Sequence, residues 1–269
     1  MTVHLCATCG TSFPDAAAPP SACPICEDER QYVPKGGQAW TTRAAVASAH
    51  RNAWRSHEPG LLSLQPVPAF AINQRAFLVA TPAGTLLWDC VALLDRATEA
   101  IVRALGGLAG IAISHPHYYT VMQDWAAAFG CPVHLHAADR EWVVRPDAAI
   151  RFWEGEALDL LPGLSLLRLG GHFAGGTVAH WTGTADGKGV LLAGDVVQVT
   201  PAARRVSFQW SYPNMMPLPA ATVRRIAGRL EAVAFERVYG AFLGQEIESG
   251  AGEVVARSAA RYVALLEGG

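Results

Sequence analysis

From about residue 60 onward, short apolar runs alternate with stretches of helical spacing. "RAFLVA" and "GTLLWDC", joined around Pro82, Ala83 and Gly84, predict a β-hairpin. "DRATEAIVRALGG" predicts a helix with Asp95 as its N-cap and glycines as its stop. "GIAIS" reads as a buried strand and "VMQDWAAAFG" as a helix ending at Gly130. "PVHLH" predicts another strand, followed by a helix over "AADREWVV". "LSLLRL", "TVAHWTG" and "GVLLAGD" are strand-like, the last preceded by the turn "ADGKG". Val223, Ile226, Leu230 and Val233 share one helical face, and a last helix carries Val254, Val255, Ser258, Tyr262, Leu265 and Leu266. Two strand-rich halves interleaved with helices predict a layered α/β domain.

The chain has 269 residues, 51% hydrophobic and 16% charged. That charge is below the usual ~25%, so a large buried core is expected. A net charge of -2 gives no basic footprint for nucleic acid. No apolar run is long enough for a membrane span, and the start lacks a signal peptide's charged and apolar regions. The expectation is a cytoplasmic protein without nucleic-acid or membrane partners.

Cysteine usage changes the picture at the N-terminus. Cys6 and Cys9 in "CATCG", and Cys23 and Cys26 in "CPICE", form two C-x-x-C pairs. Two such loops turn four thiolates onto one ion, and a segment this short needs the metal to fold. Zinc is the expected ion, although iron fits the same tetrahedral sulfur set. "HLCATCGTSFPDAAAPPSACPICEDERQYV" also resembles the rubredoxin-like modules of rubrerythrins, departing from them at Glu27, where a glycine is usual. The predicted organisation is a four-cysteine zinc ribbon over 1–35, a linker and helix over 36–59 and the main domain over 60–269. Cys90 and Cys131 read as small buried hydrophobes.

A second set of ligand-type residues lies just past strand ends. His115 and His117 follow "GIAIS", His172 follows "LSLLRLGG", and Asp195 ends "GVLLAG". Loops at sheet ends are where functional side chains converge, and residues i and i+2 of extended chain point the same way. Glycines in "LGGHFAGG" and "AGD" allow close backbone approach there.

These motifs, in this order, resemble the metallo-β-lactamase fold superfamily over about residues 60–269. "GTLLWDC" matches the strand ending in an aspartate, "SHPHYYT" stands in place of H-x-H-x-D-H, "GGHFAGG" matches the later histidine and "LAGD" the bridging aspartate. The resemblance implies a four-layer αββα sandwich with its site at one edge. It also implies that His115, His117 and His172 hold a first metal. The second would need residues that are absent: Tyr119 and Thr120 occupy the motif's aspartate and histidine positions, and no histidine follows His180. Only Asp195 remains of that set, so a mononuclear centre of zinc or iron is expected.

Three functions are compatible with one metal. The first is hydrolysis of a small ester, lactone or thioester, with Asp195 handling the proton of a metal-activated water and Tyr119 donating to an oxyanion. The second is a non-haem iron oxygenase using His115, His172 and Asp195. The third is a non-catalytic interaction protein. Trp153, Trp210 and Tyr212 lie in aromatic segments, "FWEGE" and "SFQWSYPNMMPLP", where they can wall a substrate pocket. Expected partners are a small-molecule substrate, with a homo-oligomer or a ribbon-mediated protein contact left open. His50 and His57 read as solvated in a pre-strand segment, His134 or His136 as a support for a metal ligand, and His180 as a core histidine. Arg204–Arg205 and Arg224–Arg225 read as solvated faces.

Overall fold

In the computed structural model, which describes residues 1–269, the chain opens with β1 (His4–Cys6), the short helix α1 (Pro24–Glu27) and β2 (Trp40–Thr42). β1 pairs antiparallel with β2, so the ribbon is closed by a strand beyond the expected boundary at residue 35. Helix α2 (Arg43–Ala49) follows at once, with the Thr42 side chain accepting from Ala45 N.

The first sheet takes β3 (Arg51–Glu58), β4 (Leu61–Val67), β5 (Ala76–Thr81), β6 (Gly84–Trp88), β7 (Gly110–Ala112), β8 (Val133–His136) and β9 (Ile150–Trp153) in that spatial order. Strands β3 to β6 run antiparallel and β6 to β9 parallel. The sheet therefore starts at Arg51, inside the segment expected to be linker. β3 is an edge strand of mostly polar side chains, "RNAWRSHE", and carries little apolar alternation to betray it. His57 in β3 is half-buried, its ring 5.0 Å from Tyr239 and its Nε2 2.8 Å from Ser63 Oγ.

Between these strands run α3 (Arg96–Ala104) and α4 (Met122–Phe129). Asp95 caps the first by accepting from Thr98 N at 2.7 Å, and Gly130 ends the second in the left-handed region, both as the sequence predicts. The expected helix over "AADREWVV" is instead a 3-10 stretch, Ala137–Trp142, interrupted at Asp139. There the buried Asp139 carboxylate accepts from Gly175 N at 2.7 Å, a tertiary contact that wins over regular helix.

The second sheet comprises β10 (Ala157–Leu161), β11 (Leu164–Arg168), β12 (Thr177–Trp181) and β13 (Val190–Leu192). After β13 come two small hairpins, β14 (Gln198–Val199) with β15 (Val206–Ser207), and β16 (Gln209–Ser211) with β17 (Met216–Pro217). Helix α5 (Ala220–Glu231), then β18 (Arg237–Tyr239) and β19 (Glu246–Ile247), which complete the sheet, and helix α6 (Ala251–Leu266) finish the chain.

Period-two alternation sorts the side chains into layers. Phe77, Val79, Leu86 and Trp88 meet Leu164, Ala179, Trp181, Val190 and Leu192 between the sheets. The opposite faces bury Leu78, Leu87, Val102 and Trp125 on one side and Val178, Leu191, Val223, Ile226 and Val255 on the other. The result is the expected four-layer αββα sandwich. No helix is long and apolar enough to cross a membrane.

One buried ion pair ties the sheets at an edge. Arg75, 1% exposed, donates to Gly240 O at 2.9 Å and pairs with Glu246 at the start of β19. Replacing Arg75 by Ala strands a buried carboxylate, and should lower unfolding stability by about 3–5 kcal/mol. Urea unfolding is the measurement, and the double variant Arg75→Ala/Glu246→Ala should recover part of the loss.

Candidate metal centre

The four ribbon sulfurs form a compact cage. Cys6 Sγ lies 3.6 Å from Cys26 Sγ, and Cys9 Sγ 3.7 Å from Cys23 Sγ. A disulfide needs about 2.05 Å. A tetrahedral ion with metal–sulfur bonds of about 2.3 Å sets its sulfurs about 3.7–3.8 Å apart. The thiols are free and buried, and the spacing fits a metal cage. Gln38 Nε2 adds a donor 3.2 Å from Cys6 Sγ.

The second cluster gathers His115, His117, His172 and Asp195, with one ligand atom from each lying within 4.8 Å of the others. His115 stands past the end of β7, and His117 lies on the 3-10 turn Pro116–Tyr118. His172 lies past the end of β11, and Asp195 past that of β13. His172 Nε2 is 3.2 Å from His117 Nδ1, and His115 Nε2 is 3.4 Å from Asp195 Oδ2. Metal–nitrogen and metal–oxygen bonds of about 2.0–2.1 Å predict tetrahedral edges of about 3.3–3.4 Å. His115 Nε2 and Asp195 Oδ1 are buried without a hydrogen-bond partner, a lack that a bound cation and its water would meet. The donor set therefore fits a single ion.

Contacts behind the ligands fix their tautomers. His172 Nδ1 donates to Trp210 O at 2.7 Å, leaving Nε2 as a lone-pair donor. Ser114 Oγ sits 2.8 Å from His115 Nδ1, placed to accept its proton, while Ser114 N donates to Asp89 Oδ1 at 2.7 Å. Gly194 lies in the left-handed region, and a Cβ there would fall 2.6 Å from Ser114 Oγ. This glycine of "LAGD" thus brings its strand end against the serine that orients a ligand.

The electrostatics suit metal binding, since ligands must be neutral imidazole and ionised carboxylate. Burial, with the neighbouring His172 and His115, holds His117 well below the ordinary range. Burial and His115 bring His172 down to about 3. Burial alone would raise Asp195, but hydrogen bonding and charge from His115 hold it below the usual carboxylate value. Burial pushes Asp89 up to about 6.

The tyrosine beside the cluster is Tyr118, not the expected Tyr119. Tyr119 is buried in the core of the first sheet, its hydroxyl directed at Asp139 O at 3.5 Å. It does not reach the cluster. Tyr118 does: its ring lies 4.3 Å from that of His115, and its buried hydroxyl has no partner within hydrogen-bonding distance. Burial and the neighbouring Asp195 charge raise the Tyr118 pKa well above the usual range. On an extended segment the alternate residue would face the ligands, but the turn at Pro116–Tyr118 rotates the next one inward.

Trp153 belongs to the intersheet core, with its ring 4.5 Å from His136, and walls no pocket at the centre. Trp210 and Tyr212 do lie there. Tyr212 donates to Asp195 O at 3.0 Å, and its ring is 5.8 Å from that of His172. His136 is engaged by Gly155 O and Ala138 N, so it supports no metal ligand. His180 Nε2 pairs with Ala234 O.

Sequence reasoning did not anticipate the ribbon's position. Arg30, 8% exposed, inserts its guanidinium among Phe173, Trp210 and Trp142, at 3.9, 4.5 and 5.0 Å from the ring centroids. The Phe173 ring in turn lies 4.9 Å from that of His117 and 5.1 Å from that of His172. Asp28 holds Arg30 through two oxygens, at 2.6 and 2.9 Å. Glu29 accepts from Trp210 Nε1 at 2.8 Å, and Asn214 Nδ2 donates to Glu29 O and Gln31 O. On the ribbon's other side, Thr120 O accepts from both Ser12 N and Ser12 Oγ at 2.9 Å. Thr120 stands where the resemblance expects a second-metal histidine. That position now anchors the ribbon.

No family model matches the chain. The Bacillus subtilis (strain 168) protein YmaE, itself uncharacterized, is 44% identical over 268 residues, spanning 99% of this chain and 97% of that one. Among solved structures, the metallo-β-lactamase DIM-1 matches with a TM-score of 0.59 at 14% identity, over 78% of this chain and 98% of that one. TMB-1 gives 0.58 at 14%, over 78% and 97%. A Cronobacter sakazakii metallo-β-lactamase mutant gives 0.53 at 20%, over 82% and 95%. At these identities the structures speak to the fold, and the fold agrees with the layers described above. The chain belongs to the family of YmaE, built as a metallo-β-lactamase-fold domain with a four-cysteine metal ribbon at its N-terminus.

Proposed function

We propose that the chain is a metal-dependent hydrolase acting on a small ester, lactone or thioester, with a single ion held by His115, His117 and His172 beside Asp195. The observation that carries this reading is the convergence of three histidine ligand atoms and the Asp195 carboxylate within 4.8 Å of one another, with an Asp195 oxygen that has no hydrogen-bond partner. A divalent ion there supplies a Lewis acid that polarises a carbonyl and acidifies water.

The chain's own groups do the rest. Asp195 Oδ1, with no other partner, accepts the proton of the attacking water. Tyr118 stays protonated at neutral pH and offers its hydroxyl to the oxyanion. Ser114 and the Trp210 carbonyl keep His115 and His172 in the ligating tautomer. Arg30 and the rings around it shut the centre from solvent, so substrate enters when the Asp28–Gln31 segment lifts from Trp210 and Asn214.

Elemental analysis should find two metal ions per chain in the wild type and one in the His115→Ala/His172→Ala variant. The same count in both would remove the centre from consideration, and iron at the second site would favour oxygen chemistry over hydrolysis. On the loaded protein, Asp195→Asn should lower kcat on a hydrolysed ester, lactone or thioester by about 10²–10⁴-fold. Tyr118→Phe should lower it by about 10²-fold, and Tyr119→Phe should leave it near wild type. Absence of turnover across all three substrate classes would sink the proposal. Arg30→Ala should speed removal of the domain's metal by a chelator, followed as metal content against time, and an unchanged rate would show that the ribbon does not close the site.

A further inference from the structure

Away from the metal centre, the turn between β14 and β15 and one face of α6 border an open cleft of about 250 Å³. Its lining is Arg204, Arg205, Arg257 and Arg261, with Val254 and Ser258. The molecule as a whole carries a net charge of -2, and most of its other arginines are matched: Arg43 and Arg145 with Asp124, Arg168 and Arg229 with Glu156, and Arg237 with Asp186. In the cleft only Arg257 has a carboxylate partner, Glu253 at 3.1 Å on the exposed helix face. The side chains of Arg204, Arg205 and Arg261 make no ion pair or hydrogen bond.

The two walls are held in place. Val206 N donates to Ser258 Oγ at 3.1 Å, and the Phe208 and Tyr262 rings stand 5.8 Å apart. Arg257 and Arg261 are one helical turn apart and share a face, while Arg204 and Arg205 come from the opposing turn. All four arginines are solvent-exposed, so water and salt screen their mutual repulsion and leave the guanidiniums free to turn onto an anion. Guanidinium forks match phosphoryl oxygens in geometry and charge. A phosphate monoester brings about two negative charges at neutral pH, so three unpaired guanidiniums exceed what one such group neutralises.

We infer that this cleft binds a diphosphate group, either free or as the end of a nucleotide. Neither the fold nor the metal centre requires it, since none of its lining residues ligates or covers the metal cluster. It does adjoin that centre through the chain, because the β14–β15 hairpin runs between Asp195 and Trp210.

Titration calorimetry on the metal-loaded full chain, with sodium pyrophosphate and ADP as separate probes at low salt, tests the site. The expected result is saturable one-to-one binding that weakens steeply between about 50 and 200 mM salt. Kd should rise by at least about tenfold in Arg205→Ala/Arg261→Ala. Arg96→Ala, which removes an exposed arginine elsewhere, should leave it unchanged. Metal content and circular dichroism confirm that each variant is folded. Tighter binding of ADP identifies a nucleotide, and equal binding of both probes identifies free diphosphate. No saturable binding, binding untouched by the double substitution, or equal competition by sulfate and chloride at fixed ionic strength would overturn the inference.

Discussion

Three imidazoles and a carboxylate, buried within reach of one another, are a liability unless their lost hydration is compensated. Most of the contacts behind the centre answer that constraint, although His117 Nε2 has no partner. The Trp210 carbonyl and Ser114 take up the outer nitrogens of His172 and His115, and Asp89 in turn takes up the Ser114 amide. What remains is a set of inward-facing lone pairs aimed at a common point, a sound arrangement around a cation and a poor one around nothing. The sandwich makes it achievable, because two packed sheets present several strand ends along one edge and hold them rigidly.

The departures at Tyr119 and Thr120 and the docking of the ribbon are structurally linked. At the two motif positions that would have fed a second ion, Tyr119 turns into the core and Thr120 gives its carbonyl to Ser12 of the ribbon. The ribbon then reaches past the vacated ground to place Arg30 beside the rings that line His117 and His172. A second metal and a docked ribbon would compete for the same side of the site.

Much of this was legible in the sequence. The ligands stood out because metal chemistry demands particular residue types at particular spacings, and His115, His117, His172, Asp195 and the four ribbon cysteines meet as those spacings require. The strands of the two inner faces were visible through alternation, as in Phe77 and Val79 against Leu78. What the pattern hid was tertiary. β3 is polar because it lies at an edge, and the 3-10 stretch breaks at Asp139 for a contact with Gly175, distant in sequence. The choice between Tyr118 and Tyr119 turned on a single backbone turn, and Trp153 was indistinguishable from a pocket wall until its neighbours were known. Arg30 carried no signal at all, since nothing in a charged residue beyond a C-x-x-C loop says which aromatic slot will receive it.

The placement of Arg30 four residues after Cys26 has a thermodynamic consequence. A ribbon too small to fold without its ion can present that guanidinium only while the ion is bound. Under the proposed function, closure of the domain's site would thus be conditional on occupancy of the ribbon, through a short stretch of backbone. Linkage makes the relation mutual: an ion that favours the docked ribbon also makes the ribbon's own ion harder to lose. With both ions bound, the two sites would behave as a coupled pair, and the chain would respond to metal supply as one unit rather than as two independent sinks.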